Sequence, residues 1–243
     1  MALFGSAMLS LSTGCPSPNS YGTPRTIPVR RVAHTIAVEV MSARGTSPSG
    51  RTIDQTLPSL PTYQLRYGLW DRGDLGIRLG HLSTVGADLK WNFLRTRRFD
   101  MAIDPGAQVF VSSDLGVAAV TSYFHAPLLF GINVSHTVSF VPTVGVTIAA
   151  SSNQSSGADI RSASTASGVL ARIGLGVNLR FRDVFALQPE VTYLQDVGVG
   201  SHSFVMIGLG MAYGKLPNYD DDDPEIAAER KAAGWSETDD SSP

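Results

Sequence analysis

Three features of this 243-residue sequence predict an all-β chain folded as a closed antiparallel up-and-down transmembrane β-barrel of about ten strands. Apolar and polar side chains alternate with a period of two, several alternating runs are long enough to cross a bilayer, and the connections between them are alternately short and long. A soluble β-sandwich alternates too. Its strands, however, average about five or six residues, and nothing in a sandwich calls for alternating loop lengths.

The first element is His34 to Met41, with Ile36, Val38 and Val40 on one face and Glu39 on the other. Tyr63 to Leu69 sets Arg66 against Leu65 and Tyr67. After the turn WDRGD, Leu75 to His81 opposes Leu75, Ile77 and Leu79 to Arg78, and Val85 to Phe93 opposes Leu89 and Trp91 to Asp88 and Lys90. Phe99 to Val111 carries Asp100 and Asp104 on its polar face, and Tyr123 to Asn133 carries His125 there. Val138 to Ile148 follows with valines against Thr143, Gly145 and Thr147. In Val169 to Phe181, VLARIGLGVNLRF, every odd-numbered residue is apolar, and Arg172 and Arg180 belong to the other set. Val184 to Leu194 contributes Glu190, and Phe204 to Tyr213 completes the series.

In a membrane barrel the apolar set faces lipid and the polar set faces the lumen. The inward charges are then Arg66, Arg78, Lys90, Arg172 and Arg180 against Glu39, Asp88, Asp100, Asp104 and Glu190. Isolated charges in a narrow lumen are costly, so a paired network that fills the interior is expected. Aromatic residues Tyr63, Phe93, Phe99, Phe181, Phe185 and Tyr213 fall on the apolar face at strand ends, as interfacial girdles do.

Short turns at WDRGD, RTRR, VSHT and RD alternate with longer polar loops at residues 45–60 and 150–167. That asymmetry places the short turns and both termini in the periplasm, and any extracellular ligand would meet the two long loops. Upstream, residues 1–15 read as an export signal ending in a lipobox-like Cys15, the expected lipid anchor, although no Lys or Arg precedes the apolar run. Residues 16–33, rich in Pro and Ser, read as a periplasmic linker, residues 34–213 as the barrel, and residues 214–243 as an acidic periplasmic tail with a short helix near 224–233.

The segments LRYGLWDRGDLGIRLG, ADLKWNFLRTRRFDMAIDPG and HAPLLFGIN together resemble a broad, uncharacterised group of small proteobacterial outer-membrane β-barrel proteins, over residues 61–213. The resemblance implies a porin-like fold in a Gram-negative cell envelope, in contact with outer-membrane lipids, and no reaction.

Nineteen basic against twenty-one acidic residues argue against nucleic acid as a partner. A single cysteine and five scattered histidines form no metal-ligand spacing, so neither a metal nor a cofactor is expected. Asp220 to Asp223 read as a solvated acidic run. The expected role is structural or surface interaction through the loops, with a narrow pore for ions or small polar solutes as the alternative. An aspartate hydrolase using Asp100, Asp104 and His125 ranks third, so no enzyme is expected.

Overall fold

A computed structural model describes residues 17–46, 52–80, 84–114, 117–156, 161–181, 184–198, 202–217 and 219. Among them are eleven antiparallel strands: β1 Val32–Thr46, β2 Thr52–Trp70, β3 Gly73–Gly80, β4 Thr84–Arg95, β5 Phe99–Ile103, β6 Gly106–Asp114, β7 Val117–Asn133, β8 Val138–Ser156, β9 Arg161–Phe181, β10 Phe185–Asp196 and β11 Ser203–Gly214. Except for β5 and β6, neighbours in sequence pair with one another, β1 pairs with β11, and the β3–β4 ladder closes the ring.

Eleven strands make ten staves. β5 and β6 both lie between β4 and β7, and they are one stave interrupted at Asp104-Pro105. Proline has no N–H to give the ladder. The break stays tied to the wall by Asp104 N to Pro127 O at 3.0 Å and Leu89 N to Pro105 O at 2.9 Å. The two-residue alternation continues unshifted across it, which is why the sequence reads as one strand here.

The alternation sorts the side chains as expected. Ile36, Val38, Val40, Leu75, Ile77, Leu79, Ile173, Leu175 and Ile207 are among the exposed apolar residues on the outside, whereas Glu39, Arg66, Arg78, Asp88, Arg172, Arg180 and Glu190 are buried within. An open sheet leaves a row of unpaired N–H and C=O groups at each edge; a closed ring leaves none to protect.

One end carries the short connections after Trp70, Arg95, Asn133 and Phe181 and holds the two chain ends of the barrel, where Ala33 pairs with Gly214. This is the turn end. Gly214 has φ of 109°, and a Cβ there would press on the Val32 carbonyl, so the barrel closes on a residue that only glycine suits. Phe93, Phe99, Phe181, Phe185 and Tyr213 cluster at this end, with Phe181 and Phe185 rings 5.8 Å apart. Tyr63 does not sit at a strand end, because β2 begins eleven residues earlier, at Thr52.

Three readings of the sequence are corrected. Residues 45–60 and 150–167 are mostly not loops: β1 and β2 stay paired out to Thr46 and Thr52, and β8 and β9 out to Ser156 and Arg161. Their polar composition hides strand because no apolar face marks the alternation there. The stretch 16–33 is no linker, since residues 17–28 run inside the barrel and Val32 already opens β1. The tail at 214–243 begins inside as well, with Leu216 and Tyr219 buried at the turn end. Cys15, the export signal and the acidic run from Asp220 onward lie outside the described residues.

Candidate functional site

The lumen holds two layers of charge, one within the wall and one that grips the N-terminal segment. In the wall, Arg66 is the hub. Its guanidinium lies 2.6 Å from Asp74, 2.8 Å from Asp88 and 3.1 Å from Asp104. Arg78 adds a 3.0 Å contact to Asp88, and Lys90 lies 3.5 Å from Asp74. Three cations therefore meet three carboxylates in a planar-fork geometry that an arginine, with five donors, can serve from one position.

The second layer reaches the segment 17–28. Glu190 accepts from the backbone N–H groups of Ser20 and Tyr21, both at 2.8 Å, while Arg172 sits 3.6 Å from Glu190 and donates to the Ser20 hydroxyl at 2.8 Å. Glu39 accepts from the Tyr21 phenol at 2.6 Å, from Asn19 at 3.3 Å and from the Ser17 hydroxyl. Arg78 and Lys90 use spare donors on the carbonyls of Asn19 and Thr23, at 2.6 and 3.0 Å. Nearer the turn end, Arg25 binds Asp100 at 2.9 Å and Asp74 accepts from Ile27 N at 2.9 Å. Going back from Arg30 to Ser17, the partners move from the turn-end residue Gly68 to Gln108, well inside the ring. An irregular backbone inside a barrel needs partners for its polar groups, and these wall charges meet the N–H groups of Ser20, Tyr21 and Ile27 and the carbonyls of Asn19 and Thr23.

Tyr21 is the pivot of the segment. Its backbone is left-handed, with φ of 43°, a conformation costly for a bulky residue. Burial, and next the Glu39 carboxylate, push its phenol well above the usual range, so it remains a proton donor. Gly208 and Gly210 on β11 make the room: a Cβ at either would run into the Tyr21 side chain. Gly210→Val is therefore expected to unseat the segment without breaking a barrel ladder. The measurement is protease cleavage near residue 21 in folded protein, and equal resistance in native and variant would count against the packing described.

Tyr219 stacks between two guanidinium groups, 3.9 Å from that of Arg25 and 3.5 Å from that of Arg180, and closes the turn end beside the segment. Arg180 also donates to Ser139 and Asn178 and to the carbonyls of Ser135 and His136. A pocket flanked by Thr23, Gln188 and Tyr219 has about 30 Å³ of room.

All ten charges expected in the lumen are buried there. Arg172 meets Glu190 as expected, whereas Arg180 reaches neutral acceptors and an aromatic ring in the contacts above. Sequence reasoning missed Asp74 and Arg25. Asp74 was read as part of a turn, yet it shares the even-numbered face of Arg78. Counting it inward makes six acids against five bases, an imbalance that signals an absent cation, and Arg25 supplies it. Asp100 and Asp104, weighed as catalytic acids, are bound by Arg25 and Arg66. His125 is half-buried on β7, paired in register with Gly106 and Thr147.

An apolar outer wall around a charge-paired interior, closed on itself, defines an outer-membrane β-barrel protein. No protein-family model matches this chain, and no curated protein matches it. Among solved structures it is similar to the outer membrane protease OmpT of Escherichia coli, at 9% identity and a TM-score of 0.45 over 80% of this chain and 100% of that one. It is also similar to the attachment invasion locus protein Ail of Yersinia pestis, at 11% identity and 0.38 over 75% and 97%. The translocator domain of the autotransporter NalP from Neisseria meningitidis gives 9% and 0.44 over 75% and 88%. The strand pairing of this chain, not these likenesses, establishes its barrel.

Proposed function

We propose that the protein is a plugged barrel that acts at its surface, through the projecting β1–β2 and β8–β9 hairpins, and does not conduct at rest. The observation that carries this reading is the segment 17–28, held in the lumen by Glu39, Asp74, Asp100 and Glu190. Both hairpins continue as paired strands well past the length that crosses a bilayer, with β8 and β9 at 19 and 21 residues. On this reading the hairpins face outward and the turn end lies in the periplasm. Planar-bilayer recording of the full refolded chain is the test: the expected trace is silent, and steady single-channel current would overturn the plugged resting state.

A gated pore is the second reading, and one observation favours it. Apart from an isolated bridge between Val29 and Gly68, the segment contributes no strand to the wall, so it can leave without unpairing a stave. Lipid attachment at Cys15 bears on the same question. Ser17, two residues further on, is buried beside Glu39 inside the ring, and anchoring in the bilayer would have to draw this end of the segment from that seat. Acylation and a seated plug are alternatives in this proposal. Palmitate labelling is expected to be absent from protein that records as silent; labelled and silent protein would contradict it. No catalysis is proposed, and peptide or ester hydrolysis above background that vanishes in His125→Ala would reverse that position.

A further inference from the structure

The lumen segment has a direction. At the turn end Arg30 N donates to Gly68 O at 2.8 Å and Ile27 N to Asp74 at 2.9 Å. Further along the same wall Arg78 donates to Asn19 O at 2.6 Å, and Gln108 to Ser17 O at 3.2 Å. Asp74 and Arg78 both belong to β3, and the strand between them is about 13 Å long. The far side of the ring agrees. Arg172, which holds the Ser20 hydroxyl, pairs in register with Leu194, close to Asp196 at the hairpin end of β10, whereas Phe185 marks the turn end of that strand. Going towards the N-terminus, the chain therefore climbs from the turn end towards the hairpin end.

Distances along the wall fix where this leads. Arg78 and Gln108 both pair in register with Gly86. Gly86 is about 7 Å of strand from the hairpin end of β4 at Thr84, and about 30 Å from its turn end at Arg95. The two residues of chain upstream of Ser17 span about 7 Å at most. With Ser17 seated, position 15 is within reach of the hairpin rim and roughly 20 Å short of the turn end. The other end of the chain behaves differently: Gly214 pairs with Ala33 at the turn end, and Leu216 and Tyr219 are buried there.

We propose that the barrel is threaded by its own chain: the lumen segment delivers the part of the chain upstream of Ser17 to the face that bears the β1–β2 and β8–β9 hairpins, so that the surface offered to a partner there includes the N-terminal part of the protein. The two ends of the chain then open on opposite faces, whereas the sequence alone places both with the short turns. Threading rests on the seated segment of the plugged reading, and not on which face lies outside the cell.

Cys15 is the only cysteine in the sequence, so the refolded full chain carries its own reporter. The protein is inserted into closed phospholipid vesicles and treated from outside with a membrane-impermeant maleimide. Two further chains combine Cys15→Ser with Gly198→Cys, exposed at the hairpin end, or with Arg72→Cys, exposed at the turn end. The labelled fraction of Cys15 is expected to equal that at position 198 and to be complementary to that at position 72, whichever way the barrels insert. Heat-modifiable migration in gels shows that each chain is folded, and bilayer recording of the same preparations shows whether the lumen is plugged. Labelling of Cys15 in step with position 72 overturns the threading, and so does a thiol that reacts from neither face yet reacts once the protein is denatured. In silent protein either result strikes the threading alone, whereas steady current removes the plug on which it rests.

Discussion

A chain that starts at Pro28, refolded into planar bilayers, is expected to carry steady current where the full chain is silent. Removing residues 17–27 withdraws Arg25 from the lumen and strips Glu39 and Glu190 of the donors described above. The barrel ladders are untouched, since none of them includes a residue before Val32. What remains inside is Arg66, Arg78, Lys90, Arg172 and Arg180 against Glu39, Asp74, Asp88, Asp100, Asp104 and Glu190, five cations to six acids. The open lumen is therefore expected to prefer cations, most visibly at low salt. A truncated barrel that is folded, by resistance to denaturant on gels, and yet silent would remove both the plug and the gated-pore reading. It would leave the wall network as the barrier.

Arg66→Met is the substitution expected to cost the barrel most stability. Methionine replaces a buried cation within 3.1 Å of three carboxylates, and among the described ion pairs no other cation meets all three. Breaking one buried ion pair by removing a partner costs about 3–5 kcal/mol. With three acids left against Arg78 and Lys90 the loss belongs at the upper part of that range. Arg66→Lys is expected to recover only part of it, because an ammonium is a point charge without the fork that engages several carboxylates at once. Arg44→Gln, which breaks an exposed pair, sets the scale at about 0–1 kcal/mol. Urea unfolding from lipid vesicles, followed by tryptophan fluorescence, orders the three. A cost for Arg66→Met no greater than that for Arg44→Gln would show that the wall network is not what holds the lumen.

The period of two was enough to reveal the staves. It comes from the pleat, which turns successive side chains to opposite sides whatever the chain pairs with, and so Ile173 and Arg172 could be assigned to outside and inside from their spacing alone. Register with the next stave needs no further information when one face is apolar and the other charged, since a slip of one residue would send Arg172 into lipid. The same logic failed where neither face is apolar in sequence. The distal parts of β8 and β9, such as Ser151 to Ser156 paired with Arg161 to Ala166, read as loops because no apolar face marks them. It failed again for the lumen segment, where Pro18, Pro24 and Pro28 and the absence of any period look like a linker.

By itself the sequence determined the ring of staves, the face each presents to lipid, and the near balance of charge inside, because these follow from local alternation and from the cost of burying an unmatched charge. Only the tertiary structure decided that residues 17–28 return into the lumen. Their hydrogen bonds run to Glu39, Asp74, Asp100 and Glu190, on strands up to 170 residues away. A segment with no period of its own takes its place from the partners that satisfy its backbone, and those partners converge only once the barrel has closed.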